Sequence, residues 1–164
     1  PLIKKKIFLK NKKLFLDTVE EEAITVGLIK LAHHLPCHEV FFKINQLNFF
    51  QFCRMEDIMV ENQNHLYHFP RFEAYDCGTQ TSFVLIANMP DRVEKVQEHF
   101  ELFDGADENK YLLSSVKDID YIVTSQEECA DFSVIQLPQD LIFEIQEYSI
   151  NPNEDLYQLI HYYE

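Results

Sequence analysis

His33, His34, Cys37 and His38 fall within six residues, and His65 and His68 form an HxxH pair. Imidazole and thiolate are the donors zinc prefers. Folding that brings the two clusters together would make His33, His38, His65 and His68 a ligand set for a metal protein or a small enzyme. Neither cluster alone supplies an evident fourth donor or the usual finger spacing, and polar residues at a strand-to-helix junction commonly turn and cap the chain. Cys37 and His38 are the adjacent thiol and imidazole. Neighbours at a helix start point apart, so the pair does not amount to a base-activated nucleophile. Cys77 falls in an expected turn with no histidine near it in sequence, and Cys129 follows two acids that disfavour its thiolate. Carboxylates pair at Asp118 with Asp120 and at Glu20 to Glu22, but a chain with 28 acids brings such pairs together by chance. A glycosidase pair must flank a cleft at roughly 5–10 Å, and solvated acidic faces are the simpler reading. The three glycines, Gly27, Gly78 and Gly105, build no phosphate-cradling loop. No catalytic residue and no cofactor is assigned.

Aromatic residues make the second kind of signal: 14 Phe and 8 Tyr, with no Trp. Tyr67, Phe69, Phe72 and Tyr75 lie along one strand-like run with Arg71 among them. Side chains in a strand alternate, so these rings cannot all share one face. Either a second layer of the chain's own helices covers the outer set or a partner does. Aromatics and arginine are the residues interfaces favour. The expectation is a non-enzymatic interaction module that offers Tyr67, Phe69, Arg71, Phe72 and Tyr75 to another protein or to a second copy of itself.

The elements that must position these residues can be read from periodicity. The run Ala23 to Leu31 is rich in β-branched residues and reads as a buried strand, with Gly27 at a bulge or close approach. After Pro36, the stretch His38 to Leu47 sets Val40, Phe41, Ile44 and Leu47 at helical spacing, with Asn48 as its end. Phe49 to Phe52 suggests a strand, followed by an acidic loop from Glu56 to Asn64. Leu66 to Tyr75 and Thr81 to Asn88, joined across Asp76 to Gln80, read as an antiparallel hairpin. Arg92 to Phe103 reads as a short helix, Ile119 to Ser125 as a strand, and the segment opened by Pro138 as a helix with Leu137, Leu141 and Ile145 four apart. The tail from Leu156 to Tyr163 reads as a last strand or turn. The sum is an α+β fold: an antiparallel sheet containing a central hairpin, with about three helices mainly on one face.

Length and charge bound what such a fold can do. A chain of 164 residues suffices for one domain with a genuine core, residues 1–164, needing no disulfides. Its four cysteines are expected as reduced, mostly buried thiols. Six lysines within the first thirteen residues form a basic arm or a lysine-protected edge strand, which could touch an anionic partner. The remainder holds 8 bases against 28 acids. Such a body repels phosphate backbones, which argues against nucleic acid. No stretch reaches the length of a membrane span and no signal peptide is evident, so the expected setting is cytoplasmic.

From about Gly27 onward, four-fifths of the chain or so, the sequence resembles the small bacterial family called IPExxxVDY. Ile119-Asp120-Tyr121 stands for the final V-D-Y of its signature, while Leu113-Ser114-Ser115 stands where I-P-E would be. The segment HEVFFKINQLN, with Ile44 and Asn45, looks like the family's apolar helix. The acidic step Met55-Glu56-Asp57-Ile58, the paired strands HFPRFEAYD and FVLIAN, and Ile150-Asn151-Pro152 also look like counterparts. The resemblance implies a small α+β bacterial protein. It implies no activity and carries over no catalytic residues.

Overall fold

The structure, a computed structural model, describes residues 23–62, 64–96, 110–127 and 131–162. The basic arm of residues 1–13 lies outside the described residues. Among those described are nine strands in two antiparallel sheets and two α-helices: β1 Thr25–Ile29, α1 Cys37–Leu47, β2 Cys53–Arg54, β3 Ile58–Asn62, β4 His65–Phe69, β5 Arg71–Asp76, β6 Thr81–Ala87, β7 Arg92–Lys95, β8 Tyr121–Ser125, β9 Gln146–Ser149 and α2 Asp155–Tyr162. Six strands form one sheet in the order β2-β5-β6-β8-β1-β9, and β3-β4-β7 form the other. The protein is therefore sheet-rich.

The large sheet is covered on both faces. Ile29, Phe72, Phe83, Leu85, Tyr121 and Val123 turn to one side, where Val40, Phe41 and Ile44 of α1 close over them. Val26, Leu28, Ile86 and Ile122 turn to the other, against Ile58, Val60, Tyr67 and Phe69 of the small sheet and Leu156, Tyr157 and Leu159 of α2. Strands buried on both faces need apolar residues at successive positions, which is why β6 and β8 read as continuous hydrophobic runs. The expected helical layer on one face is thus corrected to a helix on one side and a small sheet plus a helix on the other.

Several expected elements hold. The β5–β6 hairpin pairs Arg71 with Ile86 through to Asp76 with Thr81. Its turn is pinned by the Asp76 carboxylate, which accepts from Gly78 N at 3.0 Å and Thr79 Oγ1 at 2.7 Å. Strands β1 and β8 and helix α1 lie where periodicity puts them. Gly27 is a close approach: a Cβ there would overlap Val123 Cγ1 and stand 2.6 Å from Ile145 Cγ2.

Others are corrected. The single run Leu66 to Tyr75 is two strands in two sheets, because Pro70 has no N–H to continue a ladder and its carbonyl accepts instead from Ala87 N at 2.9 Å. The acidic loop contains β3, whose Ile58 and Val60 alternate into the core, and Asn64 carries the left-handed φ of 64° at its turn. In place of the expected helix from Arg92, residues 92–95 form β7, paired with β4 from His65–Lys95 to His68–Arg92; residues 97–103 lie outside those described. The Pro138 segment makes one turn, then pairs with the chain just past β1: Ala32 N donates to Leu141 O at 2.7 Å and Phe143 N to Lys30 O at 3.0 Å. Pairing with an open strand end outweighed the four-residue spacing. The expected strand at Phe49 to Phe52 does not form; a two-residue strand, Cys53–Arg54, follows it. The tail is helical, α2, with Leu156 and Leu159 one turn apart on its buried side.

Candidate functional site

Tyr67 and Phe69 are buried between the two sheets, and Phe72 is buried on the opposite side, stacked on Phe41 with ring centroids 3.5 Å apart. These three are core, which corrects their expected place in an interface: the alternation that forces rings onto both faces is met by cover on both faces. Arg71 is largely buried beside Glu73, Nη2 to Oε1 3.4 Å, in a shallow hollow lined by Ile58, Ile86 and Leu159. Tyr75 alone of the five is well exposed, at 53%.

The histidines do not converge. His33, in the turn ahead of α1, and His38, in its first turn, stand exposed, whereas His65 and His68 are buried in β4 on the far side of the large sheet from α1. Among the described residues no three His, Cys, Asp or Glu side chains are placed to hold a metal, so the ligand set His33, His38, His65 and His68 is set aside. His68 Nδ1 faces Arg92 Nη2 at 3.1 Å and its Nε2 faces Glu94 Oε1 at 3.4 Å, which accounts for a buried imidazole between β4 and β7.

Cys37, Cys53 and Cys77 are free thiols, but Cys53 and Cys77 are exposed and Cys37 is half-buried, correcting the expectation of buried thiols; Cys129 lies outside the described residues. The Tyr121 hydroxyl donates to Cys37 Sγ at 3.3 Å. Burial pushes the Tyr121 phenol well up from its ordinary value, helped by the Cys37 bond, so it is a neutral donor. Among the described residues no base completes this pair: the His38 ring extends into solvent, 4.0 Å from Glu39.

Two other features were not legible as sites. The first is the solvent side of α1. Phe42 is 64% exposed, Leu47 is exposed, and Phe49, just past the helix, is fully so. Two asparagines fix this end. Asn45 clasps Phe52, donating from Nδ2 to its carbonyl at 3.0 Å and accepting from its N–H at 2.8 Å. Asn48 does the same to Gln136, at 2.8 Å each way, while its Nδ2 also meets Ile44 O. Phe50 and Phe52 then turn inward to the core, leaving Phe49 outside.

The second is a cavity of about 290 Å³ between the 110–120 loop and the start of α2, lined by Lys110, Tyr111, Ser114, Lys117, Asn62 and Glu154 among others. Its walls are fixed from two sides. Asn88, fully buried at the end of β6, accepts from Leu113 N at 2.8 Å and donates to Val116 O at 3.1 Å and Ile119 O at 3.2 Å. From the helix side, the Glu154 carboxylate accepts from Ser114 N, Ser114 Oγ and Ser115 N at 2.9–3.1 Å. Lys110 Nζ meets Asp155 at 2.7 Å, whereas Lys117 has no carboxylate partner among the described residues and stands 5.9 Å from the Tyr111 ring.

The chain matches no family model, and comparison with curated proteins and with solved structures gives no match either. No helix among the described residues is long and apolar enough to cross a membrane.

Proposed function

We propose that this chain is a non-enzymatic, cytoplasmic protein-binding module whose contact surface is the solvent side of α1 and the turn after it. The observation that carries the reading is Phe49, a whole aromatic ring held in water by a backbone clamped at Asn45 and Asn48. A rigidly presented ring binds with little ordering cost, and aromatic anchors of this kind dominate interface energies. The occupant is a different protein presenting apolar residues among lysines and arginines. Two copies at −14 each would repel, whereas a basic partner is steered toward the acidic body. The same charge disfavours nucleic acid.

The test replaces Phe49 with a photo-reactive phenylalanine analogue in the native host. A single heterologous adduct is expected. That partner, purified, should bind the wild-type chain and lose about thirtyfold in affinity toward the double variant Phe42→Ser, Phe49→Ser, the loss of one hot spot, with the melting temperature unchanged and binding weakened by salt. Adducts only with itself, no adduct, or equal binding by the double variant would overturn the reading.

A further inference from the structure

The cavity beside α2 is unlike the rest of the surface. Of the 8 basic residues that follow position 13, two, Lys110 and Lys117, line it. The carboxylates there are engaged: Glu154 by three donors from Ser114 and Ser115, Asp155 by Lys110. Once those pairings are made, the most prominent uncommitted charge in the cavity is the Lys117 ammonium, a cation with no carboxylate partner among the described residues.

We propose that this cavity binds a small organic monoanion, a monocarboxylate with neutral hydrogen-bonding groups, with Lys117 as its counter-ion. Geometry and charge both narrow the class. At about 290 Å³ the space lies at the lower end of the ~300–1,000 Å³ range of ligand pockets. One free ammonium matches one negative charge, and a dianion such as phosphate would also face the fixed charges of Glu154 and Asp155. The amide of Asn62 can both donate and accept, which suits a hydroxyl or amide on the ligand. The Tyr111 ring offers an apolar wall beside the ammonium. Preorganisation completes the argument: the loop that carries Tyr111 and Lys117 is tied to buried Asn88 and to Glu154, so binding need not order it.

The test is a titration of the isotopically labelled full chain by NMR, at constant ionic strength, with lactate, lactamide and inorganic phosphate. Saturable shifts confined to amides of the 110–117 segment and Asn62 are expected with lactate. Lactamide, which lacks the charge, should give none, and phosphate should bind more weakly. Lys117→Gln should weaken lactate about tenfold, the loss of one charge-assisted bond, with the thermal melt unchanged; Lys43→Gln, on α1, should change nothing. Shifts spread over all lysines, equal response to lactamide, tighter binding of phosphate, or full affinity in Lys117→Gln would overturn the proposal.

Discussion

At the scale of single residues, the two positions that most constrain this fold are ones with little or nothing to spare. Gly27 sits in β1 with Val123 and Ile145 already inside the space a methyl group would fill. Gly27→Ala must push back a β-branched side chain in a packed layer, so we expect a loss of about 1–3 kcal/mol, a fall of roughly 2–4 °C in Tm per kcal/mol, measured by thermal melting. Gly78→Ala is the control: its Cβ would meet the Asp76 carboxylate, nearest at Oδ1, 3.3 Å away in an exposed turn, and the change should stay within about 0.5 kcal/mol. Asn88 is constrained by hydrogen bonding rather than by space. Its side chain satisfies one buried N–H and two carbonyls of the 113–119 segment. Asn88→Ala leaves all three without that partner, at about 1–3 kcal/mol for each group stranded away from water. Urea unfolding should show a lowered midpoint, and hydrogen exchange should rise first in the 110–120 loop. An Asn88→Ala chain as stable as the parent would mean that water takes over these bonds.

At the scale of elements, α1 shows how a short helix is held by its end. Its start has no side-chain cap, only Pro36 supplying its carbonyl to Glu39 and Val40, so the Asn45 and Asn48 clasps add to the burial of Val40, Phe41 and Ile44 in fixing its place. Asn45→Ala and Asn48→Ala should each cost about 1–2 kcal/mol, as lost caps and side-chain-to-backbone bonds do. Because the two stand three residues apart and hold the same turn, the double variant should depart from additivity in urea unfolding. Asn48 was readable in the sequence as a helix end, and α1, β1, β8 and the β5–β6 hairpin were readable because their apolar spacing and turn residues agree with their burial. What was not readable had its local signal overruled by a distant partner. Val93 and Val96 have helical spacing, yet β4 claims residues 92–95 as a strand. Leu141 has the spacing too, yet Ala32 N, just past β1, claims its carbonyl. The candidate sites were hidden for the same reason: no local pattern announces that residues 62, 117 and 154 share a cavity, or that Phe49 is left outside when Phe50 and Phe52 turn in.

At the scale of the whole molecule, charge decides how stability responds to pH and salt. The carboxyls of Asp76, Asp118 and Asp131 are held below their ordinary 3.8 by the Thr79, Lys30 and Ser133 side chains respectively. A depressed folded value gives a contribution that is complete above 3.8 and lost as pH falls below it through the folded value, so these three carboxyls should begin to cost stability only below about pH 4. Lys30, raised by its bond to Asp118, contributes below 10.5 and loses that as pH climbs past it. Tyr121 resists ionisation in the fold, so stability should also drop above pH 10, where the unfolded chain would ionise it. Between these limits the net −14 is the larger lever. The surface ion pairs, such as Lys30–Asp118 and Arg92–Glu94, are exposed and so contribute little, while 28 acids against 14 bases repel throughout the molecule. Salt screens both terms, but the repulsion is the more extensive, so added NaCl should raise Tm at pH 7. Near the isoelectric point of 4.8 that repulsion is gone, and the gain should shrink or reverse. Calorimetry at pH 7 and pH 5, each at low and high salt, checks the sign. A salt-induced fall at pH 7 would show that the ion pairs outweigh the self-repulsion.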